Sequence, residues 1–223
     1  LIRNQNQQGT LMTWGNNSFG QLGDGTTTNR TTPTLIDIGH SEWTDIAAGY
    51  SHSAAIRSNA LLYTWGQNNE GQLGDGTNIN RLTPTTLIDG IQSVDAGWYY
   101  TVGTSYFGNM WSCGQNVFGQ LGNGTNLNSN QISFSNSTNH EFISAGAFHT
   151  LSLGNDGSLG ACGLNEQGRL GDGTFTNRNI LTTIGCSTLD ITDFTSTVNK
   201  LKLYPIPVKD VLNLSSEKEI STV

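Results

Sequence analysis

The segment GNNSFGQLGDGT at Gly15 to Thr26 recurs as GQNNEGQLGDGT from Gly66, GQNVFGQLGNGT from Gly114 and GLNEQGRLGDGT from Gly163. The starts lie 51, 48 and 49 residues apart. A period near fifty with this much glycine points to stacked structural units, none of which can bury its apolar face alone. Function therefore has to be sought on the assembled surface rather than inside one unit.

Within the second copy, Leu61 to Trp65 is a β-rich run, the glycine cluster follows, and Pro84 to Ile88, Ile91 to Ala96 and Thr101 to Val102 are further apolar stretches. Four short strands divided by Gly, Asn and Asp read as one antiparallel sheet of propeller type, with units starting near residues 11, 61, 110 and 159. The expected class is all-β: a partial β-propeller of about four blades of four-stranded antiparallel sheets over 1–186.

The glycines Gly20, Gly23 and Gly25, with their counterparts Gly71, Gly74, Gly76, Gly119, Gly122, Gly124, Gly168, Gly171 and Gly173, mark tight turns that need positive φ or close chain approach. Leu22, Leu73, Leu121 and Leu170 recur inside the turn and are expected to plug into the core as rivets between blades. Trp14, Trp65, Cys113 and Cys162 share one site just before the turn and are expected in the core. No disulfide between Cys113 and Cys162 is expected, since equivalent sites in separate blades do not meet, and Cys186 is left over.

Asp24 with Arg30, Asp75 with Arg81, and Asp172 with Arg178 are present together, while the third copy holds Asn123 and Ser129 at those two positions. Two groups that depend on each other are lost as a pair, because a buried charge without its partner costs several kcal/mol. Three salt bridges within blades are expected.

Candidate chemistry is sparse. His52 in AGYSHS and His149 in AGAFHT occupy one repeated slot, which the intervening copy fills with Tyr100. A repeated side chain replaceable by tyrosine is a polar anchor between strands rather than a general base. GQLGDG lacks the Lys and Ser/Thr of a phosphate loop and is not in dinucleotide-site order. Each GDGT offers one carboxylate where a calcium loop gathers several oxygens. No zinc-protease motif, nucleophile elbow or paired acids stand out, so no cofactor, metal or catalysis is expected.

The formal net charge is −7, and residues 1–186 hold six arginines against twelve acids. That balance disfavours nucleic acid, whose binding is driven by clustered Lys and Arg. No apolar run is long enough to span a bilayer as a helix. The loop-tip residues that vary among copies, Phe19, Glu70, Phe118 and Gln167, are the candidate ligand contacts for a protein or glycan.

The order Trp-Gly, GQLGDGT, Pro33 or Pro84, then AAGxxHS resembles the regulator of chromosome condensation repeat over residues 1 to about 186. The resemblance implies blades of a β-propeller, commonly a ring of seven. Cys113 and Cys162 stand for the usual Trp, Ile132 and Leu181 for Pro, and Tyr100 for His. The nucleotide exchange associated with the family is not carried over, since a shared fold does not confer function.

After a polar linker at 187–199, the segment LKLYPIPVKDVLNLSS resembles the start of a type IX secretion sorting domain. Tyr204, Pro205, Pro207, Asp210 and Leu212 carry the likeness, and Ile206 stands where Asn is usual. It implies the first strands of a β-sandwich over 200–223, export through the type IX machinery and a secreted or cell-surface location. The expected function is a non-catalytic binding propeller. The alternatives are an accessory region of a larger extracellular enzyme and, disfavoured, an exchange factor or chromatin binder.

Overall fold

A computed structural model describes residues 2–4, 7–36, 42–135 and 139–185. The linker and the sorting-domain motif at Tyr204, Pro205, Pro207, Asp210 and Leu212 lie outside the described residues. The chain divides into two units, Leu1–Cys186 and Ser187–Val223, and the description concerns the first.

Sixteen strands follow one another with no helix among the described residues. Blade 1 comprises β1 (Ile2–Asn4), β2 (Gln7–Thr10), β3 (Met12–Gly15) and β4 (Arg30–Leu35), paired β1 with β2 and β3 with β4. Blade 2 is a four-stranded meander of β5 (Trp43–Ala48), β6 (His52–Arg57), β7 (Leu62–Gly66) and β8 (Arg81–Thr86). Blade 3 repeats it with β9 (Ile91–Ala96), β10 (Tyr100–Ser105), β11 (Met110–Gly114) and β12 (Ser129–Phe134). Blade 4 is β13 (His140–Ala145), β14 (His149–Gly154), β15 (Leu159–Gly163) and β16 (Arg178–Ile184). All pairings are antiparallel.

The sheets are offset by two strands from the repeat read in the sequence. The unit starting at Leu61 takes β7 and β8 from one sheet and β9 and β10 from the next. A periodic pattern fixes the spacing of the units but not where each is cut, and the cut is made by the hydrogen bonds of β5 through β8.

The cores lie between blades. One apolar cluster joins Ala54, Ile56 and Leu62 of blade 2 to Ile91, Val94 and Trp111 of blade 3. Another runs from Tyr100, Val102, Met110 and Leu121 to Ile143, Ala145 and Leu181 of blade 4, so Leu121 stands at a blade boundary as a rivet would.

Each third strand leads into a glycine corner built around one buried asparagine. In blade 1 the Asn17 side-chain amide is shared among Asp24 Oδ1 at 3.1 Å and the carbonyls of Thr26 and Thr28 at 3.0 and 3.1 Å. Its Oδ1 accepts the Leu22 N–H at 2.9 Å, which turns that leucine inward. Asn68, Asn116 and Asn165 repeat these bonds in blades 2, 3 and 4, all four side chains being fully buried.

The three ion pairs are present: Arg30 to Asp24 at 2.6 Å, Arg81 to Asp75 at 2.6 Å and Arg178 to Asp172 at 2.7 Å. In each, one carboxylate oxygen serves the corner and the other the guanidinium. Asn123 keeps the first role, its Oδ1 accepting from Asn116, the Thr125 N–H and the Thr125 hydroxyl, and gives up the second where Ser129 replaces arginine. Burial raises the Asp24 pKa, but the bonds from Thr26 and Arg30 outweigh it and bring the carboxyl down to about 2. Its folded value lies below the unfolded one, so this contribution is complete above about pH 4 and is lost as pH falls toward about 2.

The first three corners each dock on the next blade. The N–H groups of Gly25, Gly76 and Gly124 donate to the carbonyls of Leu82, Asn130 and Asn179 at 2.9, 2.8 and 2.7 Å. Gly71 and Gly119, with φ near +83° and +84°, approach so closely that an added Cβ would sit 2.5 and 2.4 Å from Asn130 and Asn179 Cα. Any other residue there meets both backbone strain and a fixed neighbour.

Asn68→Ala is expected to remove at least about 3 kcal/mol of stability, because several buried partners lose their bonds at about 1–3 kcal/mol each. The double variant Asp75→Asn/Arg81→Ser, which gives blade 2 the corner of blade 3, is expected to cost less than about 1 kcal/mol. Urea unfolding midpoints measure both.

Candidate binding face

His52 is fully buried, and its Nε2 lies 2.9 Å from the Thr101 hydroxyl of the next blade. Thr101 gives its own proton to the Gln72 carbonyl at 2.6 Å, so Nε2 carries the imidazole proton and His52 is the donor. Burial lowers its pKa to about 4, and the ring is neutral at physiological pH. Tyr100, in the same slot one blade on, donates to the carbonyls of Gly146 and His149 in blade 4. His149 departs from the expected anchor role. It is only half-buried, because no later blade covers it among the described residues.

Cys113 and Cys162 are buried free thiols that point at the Gln72 and Gln120 carbonyls of the preceding corner, at 3.4 and 3.6 Å. Trp65 meets the Gln21 carbonyl in the same way through its indole N–H at 2.9 Å. Burial pushes both thiols up to about 12, which leaves them protonated and unreactive. Trp14 was expected in the core but is 52% exposed, since it precedes the first corner and none among the described residues covers it. Among the described residues no group of three or more His, Cys, Asp or Glu could hold a metal ion.

The loops β5–β6, β9–β10 and β13–β14 leave the same end of the blades as the glycine corners, as the meander requires. They are tied in series: the Tyr50 N–H meets the Trp98 carbonyl and the Trp98 N–H meets the Ala147 carbonyl, both at 3.3 Å. This backbone ladder aligns the two variable positions of AGxxH in successive blades. Their aromatic side chains form a strip.

Along it the ring centroids of Tyr50 and Trp98 are 5.6 Å apart, Tyr50 and Tyr99 5.7 Å, Trp98 and Phe148 5.0 Å, and Phe148 and Phe118 5.4 Å. Tyr50 is 62% and Trp98 46% exposed, although burial of such rings is strongly favourable. Aromatic contact area held open in this way makes the strip the candidate binding face.

Of the four varying tip residues, the structure brings Phe118 into this strip. Glu70 makes no ring contact among the described residues but accepts the Asn128 amide of blade 3 at 2.6 Å, and Gln167 accepts from Arg169 at 2.9 Å. Phe19 lies at the equivalent corner position of blade 1. Tyr50, Trp98, Tyr99 and Phe148 were missed, although the copies AGYSHS, AGWYYT and AGAFHT put aromatics there three times.

An open cavity of about 380 Å³ adjoins Tyr50 and is lined also by Trp14, Gln21, Ile46 and His52. It lies on the side of β5 facing blade 1. At the next boundary the corresponding side of β9 is covered by β5 and β6.

Meander sheets packed through repeated corners, with the loops β5–β6, β9–β10 and β13–β14 gathered at one end, define a β-propeller repeat protein. The chain belongs to the regulator of chromosome condensation (RCC1) repeat family, whose profile matches residues 8–56, 59–103 and 108–153. It is similar to the Arabidopsis thaliana ultraviolet-B receptor UVR8, 34% identical over 106 residues that make up 45% of this chain and 24% of the receptor. The Danio rerio protein RCC2 homolog is 39% identical over 82 residues, 36% of this chain and 17% of its own length. The Homo sapiens E3 ubiquitin-protein ligase HERC2 is 42% identical over 77 residues, 34% of this chain and 2% of the ligase. The matched stretches thus span less than a quarter of these relatives.

Human WBSCR16 superposes with a TM-score of 0.72 at 21% identity, covering 80% of this chain and 49% of that one. Saccharomyces cerevisiae Prp20p gives 0.70 at 22%, covering 81% and 47%. At such identity the likeness is one of fold.

The His52 environment generates a pH prediction. Its folded pKa lies below the unfolded value, so stability is complete above about pH 6.5 and declines as pH falls toward 4, by up to about 3 kcal/mol. His52→Tyr, which copies the slot of Tyr100, is expected to flatten this part of the profile in unfolding measurements across that range.

Proposed function

We propose that the chain is a non-catalytic recognition module that engages a protein or glycan partner through the aromatic strip at the corner end of its blades. The observation that carries this reading is the backbone-tied row Tyr50, Trp98, Tyr99, Phe148 and Phe118, exposed in part and repeated at blade spacing. The neutral, buried His52 and the protonated thiols of Cys113 and Cys162 are structural, which supports a binding rather than a catalytic role. Propellers of this family bind proteins: yeast Prp20p is described by its binding to Gsp1p and histones, and another structure holds Kap60 bound to it.

The acidic balance of residues 1–186 supports a partner other than nucleic acid. The segment around Tyr204, Pro205, Pro207, Asp210 and Leu212 supports export by the type IX machinery and a secreted or surface location, where the propeller meets an external partner. A second reading, in which the blades are the accessory region of a larger enzyme, is favoured by HERC2, a ligase of which the matched stretch is 2%.

A photo-crosslinking residue placed at Tyr50 is expected to give covalent adducts with a macromolecular partner from the native surroundings. The same residue at Phe107, exposed at the opposite end of the blades, is expected to give none. Adducts confined to Phe107 would overturn the assignment of the face.

A further inference from the structure

The ring planes of the strip are not coplanar: Tyr50 and Trp98 are inclined by 42°, Trp98 and Phe148 by 63°, and Phe148 and Phe118 by 66°. Such a surface offers separate faces and notches to side chains arriving from one extended backbone. It is not a platform on which a flat ligand could lie across several rings.

The repeat brings a carboxylate to the same place. Phe118 is the fifth residue of its corner, and it meets Phe148, the second variable residue of the next blade's loop. Glu70 is the fifth residue of the corner one blade earlier, and Tyr99 is the second variable residue of the loop that follows it. By equivalence with the Phe118–Phe148 pair, Glu70 is expected beside Tyr99, with Trp98 next along the strip. One Glu70 oxygen is held by the Asn128 amide at 2.6 Å, which fixes the carboxylate in position.

The wider electrostatics agree. Three of the six arginines before residue 187, Arg30, Arg81 and Arg178, are consumed in corner ion pairs. Arg169 bonds the neutral Gln167 amide oxygen and keeps its charge, which lies toward His149 at the end of the strip away from Glu70; burial first and this charge second lower the His149 pKa. Aromatic faces attract cations through the ring quadrupole, and a neighbouring carboxylate adds to that attraction.

Resting on the reading of the strip as the binding face, we propose that its occupant is an extended basic peptide segment, with an Arg or Lys side chain seated between Trp98, Tyr99 and Glu70. The backbone of the segment runs along the loops from Tyr50 toward Phe148. A second basic side chain, spaced to reach Tyr50, would add affinity from the same strip.

The test is a fluorescence and calorimetric titration of the full chain with a short peptide of alternating Arg and Gly, and with its Gln and Glu counterparts and a chitin oligosaccharide. The Arg peptide is expected to bind, to weaken as salt rises from about 0.05 to 0.5 M, and to lose about tenfold in affinity with Trp98→Ala and about fivefold with Glu70→Gln. Phe107→Ala is expected to change nothing. Equal binding by the Gln peptide or the oligosaccharide, an equal loss in Phe107→Ala, or no binding by the Arg peptide overturns the proposal. The unaltered chain alone decides the peptide series, so a variant that misfolds does not obscure the result. Failure here together with crosslinked partners at Tyr50 would reject the basic ligand but keep the binding face.

Discussion

One amide side chain holds each blade corner in shape. Asn17, Asn68, Asn116 and Asn165 are fully buried, and each satisfies backbone carbonyls on one side and a leucine N–H on the other. A buried amide is tolerated only when its donors and acceptors are met, so the bonds specify one loop conformation rather than a family of them. From that conformation follow the left-handed glycines, the inward leucine and the carbonyl of Gln21, Gln72 or Gln120 turned toward the next blade. The corner is thus both the end of one sheet and the mounting for its neighbour.

The mounting explains why several chemically unlike residues fill one site. Trp65, Cys113 and Cys162 each offer a hydrogen to the preceding corner's carbonyl, the indole strongly and the thiols weakly. Beside them Ser53, Thr101 and Thr150 supply a hydroxyl to the same carbonyl. With the hydroxyl retained, the packing tolerates an exchange of Trp for Cys. His52 and Tyr100 likewise solve one problem in two ways, by reaching a polar group of the following blade.

What was legible in the sequence was whatever differed informatively between copies or demanded unusual backbone geometry. The Asp–Arg pairs could be read because the third copy lacks both members, and the glycines because no other residue adopts their φ cheaply. The asparagine of the corner was overlooked for the opposite reason. It never varies, and an invariant Asn in an Asn-rich loop looks like ordinary turn chemistry. The boundary of each sheet was also hidden, since a repeat can be cut at any point without changing its period. The aromatic strip is hidden in the sequence because the ladder that aligns Tyr50, Trp98 and Ala147 exists only between blades.

Native-state hydrogen exchange tests most directly whether the buried asparagine and the blade docking form one cooperative unit. The amides of Leu22, Leu73, Leu121 and Leu170, held by the asparagine side chains, and those of Gly25, Gly76 and Gly124, bonded across blade boundaries, are expected to exchange only with unfolding of the blades. Exchange of these seven amides at rates typical of exposed loops would contradict the account.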